Sequence, residues 1–131
     1  MTDAFLAEAM GPESFRLPRL ASPLYKVVFD QGRDAHGQTL AMWTLKLPGV
    51  DRRVGVVVSK KMIRRSVDRH RAKRLLRETF RLSRNRLKPG FGIVLVARAG
   101  IKGKKCQDVM RDFERVCRRA RIWDKSMDRV E

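Results

Sequence analysis

The chain has 131 residues, 31 of them Lys or Arg and 14 Asp or Glu, for a formal charge of +17. That length fits one compact domain with a single modest core, and a chain so charged repels itself unless a polyanion neutralises it, nucleic acid ahead of an anionic membrane or an acidic protein. No apolar run approaches the roughly 20 residues that span a bilayer, and the N-terminal MTDAFLAEAMGPES carries acids where a signal peptide needs bases, so a membrane role is set aside and a cytoplasmic protein is expected.

Residues 1–18, with Gly11, Pro12 and Pro18 and no sustained period, are expected to form a flexible tail, as are residues 124–131, DKSMDRVE. Ser22 followed by Pro23 is an N-cap and first-turn signal, and LYKVVFDQ then forms a short helix that Gly32 ends. QTLAMWTLKL, residues 38–47, and RVGVVVS, residues 53–59, have the composition of strands. LPGVD between them places Pro and Gly as a type II turn prefers, which suggests an antiparallel hairpin. A long helix is expected from about Val67 to Leu87, stopped by Lys88, Pro89 and Gly90. FGIVLVARAG, residues 91–100, begins as an almost continuous apolar run, as a central strand buried on both faces does. In the last helix Cys106, Val109, Met110, Phe113, Val116, Cys117 and Ala120 recur at steps of three and four, an apolar stripe that must lie against a sheet. Helices covering a small sheet make an α+β or α/β sandwich, a single domain over residues 1–131.

The basic character is concentrated on the long helix and the residues before it. Between Lys60 and Arg86 there are twelve Lys or Arg against only Asp68 and Glu78, a net +10, and the remainder is read as far less basic. At 100° per residue Ala72, Leu75, Leu76, Thr79, Phe80, Leu82, Ser83 and Leu87 fall on one side, the side to be buried, and His70, Lys73, Arg74, Arg77, Arg81 and Arg84 on the other, with Arg71 at the margin. Solvated helix faces normally interleave Glu with Lys as pairing partners, and here those partners are read as missing, so a merely solvated face is set aside. Arginine's planar fork grips phosphate with two hydrogen bonds, so the phosphodiester backbone is the expected ligand. About six such contacts on a duplex would give a slope of log affinity against log salt near −0.9 per contact. Charge alone does not separate RNA from DNA.

No catalytic residue or metal site is expected. The two histidines are His36 and His70, with no Cys-His or Ser-His-Asp arrangement and no carboxylate cluster. His36, in DAHGQ beside Asp34, reads as a surface-turn residue. Cys106 and Cys117 are eleven positions apart in one helix, roughly 16 Å along its axis, too far for a disulfide, and read as small apolar core residues.

The run RVGVVVSKK, then RHRAKRLLRETF, then FGIVLVARAG resembles the protein subunit of bacterial ribonuclease P, over roughly residues 20–120. In that family an Arg-Asn-Arg-x-Lys-Arg-Leu-x-Arg signature follows a strand ending in Lys-Lys; here Arg69, Arg71, Lys73, Arg74, Leu75 and Arg77 fall in register with Lys60 and Lys61 upstream. His70 stands where the family has asparagine. Both side chains donate a hydrogen bond, but histidine also gains charge near pH 6.5.

The resemblance implies a two-layer sandwich with a small mixed central sheet, ribosomal protein S5 domain 2-like, with a left-handed strand-helix-strand crossover, against the general right-handed rule. It implies that Lys60, Lys61, Arg64, Arg65, Arg69, His70, Arg71, Lys73, Arg74, Arg77 and Arg81 dock on a catalytic RNA, with Arg53 as an addition that reads almost equally as a strand-edge arginine keeping the edge soluble. It further implies that Tyr25 and Phe29 line a cleft for the single-stranded 5′ leader of precursor tRNA. Their own i, i+4 spacing suits base stacking and core packing equally. The expected cofactor is Mg2+, held mainly by the partner RNA, the isolated chain is expected to be non-catalytic, and the protein to be monomeric outside the complex. The alternative is a general or ribosomal RNA-binding protein without a role in tRNA processing.

Overall fold

The computed structural model describes residues 19–125; the expected tail over residues 1–18 and positions 126–131 of the second tail lie outside them. The elements in chain order are α1 (Ser22–Gln31), β1 (Arg33–His36), β2 (Leu40–Lys46), β3 (Arg53–Val57), α2 (Ser66–Ser83), β4 (Phe91–Ala97) and α3 (Cys106–Arg119), with short 3-10 turns at Arg84–Arg86 and Ala99–Ile101. The four strands make one mixed sheet in the order β1-β2-β4-β3. β4 runs antiparallel to β2, with Leu40 opposite Ala97 and Lys46 opposite Phe91. It runs parallel to β3, with Arg53 beside Gly92 and Val57 beside Val96. The chain therefore crosses from β3 to β4 through α2.

The central place of β4 follows from its sequence. Ile93, Leu95 and Ala97 point to the face covered by α2 and α3, where they meet Leu40, Met42, Phe80 and Phe113; Val94 and Val96 point to the face covered by α1, where they meet Val28 and Phe29. A strand apolar on both faces loses most by lying at an edge. This overrides the expected hairpin: β2 and β3 do not pair, because β4 lies between them. The type II turn itself is present, with the Val50 N–H donating to the Leu47 carbonyl at 3.1 Å and Gly49 at φ +76°. Beyond it Arg52, at φ +49°, turns the chain away from β2, and Gly90 donates to Asp51 Oδ1 at 2.9 Å, holding the entry to β4 in the gap.

Other differences are local. Ala21, not Ser22, occupies the N-cap of α1, while Gly32 ends that helix as expected, its N–H donating to the Val28 carbonyl. The long helix stops at Ser83 and tightens to 3-10 before Leu87. Leu82, expected on the buried side, is 49% exposed. Asp124, at the start of the expected second tail, is tied down: its N–H donates to the Arg86 carbonyl at 2.7 Å, beside the Leu87–Trp123 bridge. His36 lies in β1, an edge strand, rather than in a surface turn.

Candidate nucleic-acid interface

The segment between β3 and α2 is built to present charge. Ile63, only 1% exposed, plugs it into the core; its N–H donates to the Ser59 carbonyl at 3.0 Å, and Ser59 Oγ accepts from the Met62 N–H at 3.2 Å. Anchored by one apolar side chain, the turn leaves Lys60, Lys61, Arg64 and Arg65 exposed. Arg69 braces it: one Nη1 donates to the carbonyls of Ile63 at 3.1 Å and Arg64 at 2.6 Å. The remaining guanidinium donors are available to a ligand.

α2 buries Ala72, Leu76, Thr79, Phe80 and Ser83. On its outward side His70 and Arg74 are exposed and Lys73 is half-buried, while Arg71 Nη2 donates to the Lys104 carbonyl. The stripe does not stay open to its end. Arg81 grips Glu78 with two hydrogen bonds, Nε to Oε1 at 3.0 Å and Nη2 to Oε2, which raises the arginine's pKa and lowers the carboxyl's. This corrects the reading of Arg81 as an uncommitted cation: three positions apart on a helix, the two side chains meet. Arg84 is structural, donating to the carbonyls of Arg52 at 3.0 Å and Asp51 at 2.9 Å; burial, then the Arg52 charge, lowers its pKa. The open cationic surface is thus the loop 60–65 and the first half of α2.

Arg77 belongs elsewhere. With Arg19, Tyr25, Val54 and Val56 it lines a narrow recess between α1, β3 and α2, and burial first, then the Arg19 charge, lowers its pKa against an opposing effect of Tyr25. Two guanidiniums share this recess, and neither makes an ion pair among the described residues. Tyr25 covers Gly55 of β3. Phe29 meets Trp43 edge-on, centroids 5.0 Å apart at 62°, and Trp43 in turn meets His36 at 5.6 Å and 78°. Tyr25, Phe29, Trp43, Val57 and Val96 are all half-buried on the α1 face, an apolar and aromatic patch packed against Leu20, Val28 and Val94. Sequence reasoning missed Trp43 and Arg19. The alternation of β2 puts Trp43 on the face opposite Leu40 and Met42, a signal that was readable; Arg19, at the margin of an apparent tail, gave none. Arg53, half-buried at the start of β3, is engaged by its neighbours.

Among the described residues no group of three His, Cys, Asp or Glu comes together that could hold a metal ion. His36 pairs at 2.8 Å with exposed Asp34, and burial raises the Cys117 thiol pKa well above its ordinary value, leaving it unreactive. Among the described residues no helix is long and apolar enough to cross a membrane.

Comparison with known proteins agrees with this geometry. The Ribonuclease P family model matches residues 16–121. The ribonuclease P protein component of Exiguobacterium sp. AT1b is 34% identical over 101 residues, 77% of this chain and 87% of that one; that of Pseudomonas fluorescens is 34% identical over 112 residues, 84% of each chain. Among solved structures, the Staphylococcus aureus RNase P protein superposes with a TM-score of 0.68 at 22% identity, covering 79% of this chain and 94% of that one. The Thermotoga maritima RNase P protein in complex with 1-(4-fluorophenyl)-2-thiourea gives 0.68 at 24%, covering 77% and 98%. At those identities the likeness speaks to the fold, which is the α+β sandwich that the sequence resemblance implied. The family match across most of the chain and the relatives' coverage together establish that this chain belongs to the ribonuclease P protein family, the protein component of an RNA-containing endoribonuclease complex.

Proposed function

We propose that the chain binds the catalytic RNA of ribonuclease P through loop 60–65 and the first half of α2, and the 5′ leader of precursor tRNA in the cleft between α1 and the sheet. One observation carries the reading: Arg74 and Arg77, a single helical turn apart, serve two different surfaces, Arg74 the exposed stripe and Arg77 the recess beside Tyr25. A helix placed so can hold two RNA strands against each other.

On the stripe, Lys60, Lys61, Arg64, Arg65, Arg69, His70, Arg71, Lys73 and Arg74 neutralise phosphates that would otherwise repel. In the cleft, Tyr25 and Phe29, joined by Trp43, offer ring faces and edges to unpaired bases, while Arg19 and Arg77 meet the backbone. Engaging both RNAs at once raises the effective concentration of one at the other, and only the precursor has a leader to bind, so affinity favours precursor over mature tRNA. The described residues do not form a metal site; in this reading Mg2+ is held mainly by the RNA, and the protein's contribution is to position and to neutralise.

The test is reconstitution at low magnesium, with the purified chain incubated with precursor tRNA in the presence and absence of ribonuclease P RNA. Stimulated cleavage only when both are present supports the proposal. Cleavage by the chain alone, or binding that is the same for precursor and mature tRNA as a general RNA-binding protein would give, overturns it.

A further inference from the structure

The charge is not confined to the segment ending at Arg86. Residues 98–121 hold nine Lys or Arg against Asp108, Asp112 and Glu114, a further net +6. The fold gathers much of it around the turn between β1 and β2. Lys104, Arg111 and Arg115, with Gln38, Thr39 and the carboxylates of Asp108 and Asp112, line a shallow recess of about 160 Å3 there. Arg98 Nη1 donates to the Gly37 carbonyl at 2.9 Å, and Arg119 Nη1 to the His36 carbonyl at 2.7 Å. Lys102, Lys104 and Lys105 stand exposed in the loop before α3, beside Gly103, whose φ of +76° keeps the loop tight.

The acids of this region are each committed elsewhere, Asp112 to the interior, Asp108 to the first turn of α3 and Glu114 to Arg118, whose Nε donates to it at 2.9 Å. Asp112 is buried and accepts from both the N–H and the hydroxyl of Thr39, at 2.8 and 2.6 Å. Asp108 caps α3, accepting from the Lys105 N–H at 3.1 Å. What they offer the neighbouring arginines is loose: Arg111 stands 3.7 Å from Asp108 and Arg115 3.8 Å from Asp112, beyond hydrogen-bond distance, with side chains 72% and 56% exposed. A face stabilised for its own sake would close those pairs. The patch also joins the α2 stripe, since Arg71 donates to the Lys104 carbonyl, and a second recess of about 230 Å3, lined by Asp68, Arg71, Lys102 and Gly103, lies at the junction.

We propose that the loop 102–105 and the outward stripe of α3, through Lys102, Lys104, Arg111 and Arg115, form a second phosphate-binding surface that extends the footprint of the partner RNA from the start of α2 across the β1–β2 turn. The choice of RNA rests on the function proposed above; the surface itself rests on charge and on carboxylates that leave Arg111 and Arg115 only loosely paired. Neither aromatic rings nor an apolar floor lines it, so it suits the backbone of a folded RNA rather than unpaired bases.

The test measures binding to the ribonuclease P RNA of Pseudomonas fluorescens across a series of KCl concentrations for four proteins. These are the wild type; Arg74→Gln; the quadruple variant Lys102→Gln, Lys104→Gln, Arg111→Gln, Arg115→Gln; and a control that removes the same charge elsewhere, Lys26→Gln, Arg33→Gln, Lys46→Gln, Lys88→Gln. Circular dichroism melts verify that each folds. The expected result is that the quadruple variant flattens the slope of log affinity against log salt by about 3 and loses about tenfold or more in affinity at physiological salt, with the control changed far less. A quadruple variant that binds like the wild type, or a control that loses as much, overturns the second surface, while a flattened slope for Arg74→Gln leaves the α2 assignment standing. Failure of the wild type to bind would overturn both.

Discussion

The Tyr25 ring lies so close over Gly55 that a Cβ at position 55 would come within 2.2 Å of its Cζ. Glycine at this point of β3 lets α1 settle onto the sheet with the ring forming one wall of the recess that Arg19 and Arg77 share. Gly55→Ala must displace the ring, and because the clash falls on the far end of a half-buried side chain, the ring can swing outward. The expected cost is therefore about 1 kcal/mol, at the low end for overpacking, together with a several-fold loss of preference for precursor over mature tRNA. Thermal melts paired with titrations of the two RNAs check both; an unchanged preference would remove Tyr25 from the leader's path.

Asp112 fastens α3 to the β1–β2 turn through its two hydrogen bonds from Thr39. Asp112→Ala leaves the buried Thr39 N–H and hydroxyl without their acceptor, a loss of about 2–4 kcal/mol for charge-assisted bonds in a buried setting. Urea unfolding measures it, and a loss under about 1 kcal/mol would mean that water or the backbone replaces the carboxylate.

Arg74 and Arg81 lie on the same helix but differ in commitment, Arg74 exposed and Arg81 held by Glu78. Arg74→Ala should flatten the salt slope of RNA binding by about one contact, Arg81→Ala by clearly less, and Glu78→Gln should strengthen binding by releasing Arg81. Equal effects of the two arginine substitutions would show that the Glu78 pair opens at no cost when RNA arrives.

Asp51 accepts hydrogen bonds from Arg52 and from the Gly90 N–H, and these, Arg52 first, lower its pKa below the ordinary 3.8. A carboxyl with a lowered folded-state pKa stabilises the fold above its unfolded value and loses that contribution as pH falls through the folded one. Asp51→Asn should therefore be less stable than the wild type at neutral pH, by a margin that holds down to about pH 4 and shrinks below it. Urea midpoints over a pH series give the comparison, and a margin that grew on acidification would contradict the assignment.

Much of this molecule could be read from local pattern. The apolar stripe of α3, the first half of the positive face of α2 and the double-sided burial of β4 are all periodicities within one element, and each appears where the spacing puts it. What could not be read depends on partners distant in sequence. The turn at Pro48 and Gly49 is genuine, yet the strands it separates are parted by β4, which comes more than thirty residues after the turn. The same limit governs the interface. Arg77 belongs to the charged stripe by helical angle, but the edge of β3 and the packing of α1 decide that it faces Tyr25. The residues before α2 were legible as a basic run, but Ile63 as the plug that orients them, and Arg69 as their brace, emerge only once the loop is folded.

The central position of β4 also governs how this protein comes into being. During synthesis the chain emits β1, β2, β3 and the whole of α2 before the strand that joins them exists, so the sheet has no middle and the apolar face of α2 no floor. Pairings that wait on such distant segments form slowly and leave sticky surfaces exposed meanwhile. A newborn chain in that state carries the basic helix α2 with nothing beneath it, and the arrival of Phe91–Ala97 is the event that gives both faces of the sheet their shared centre.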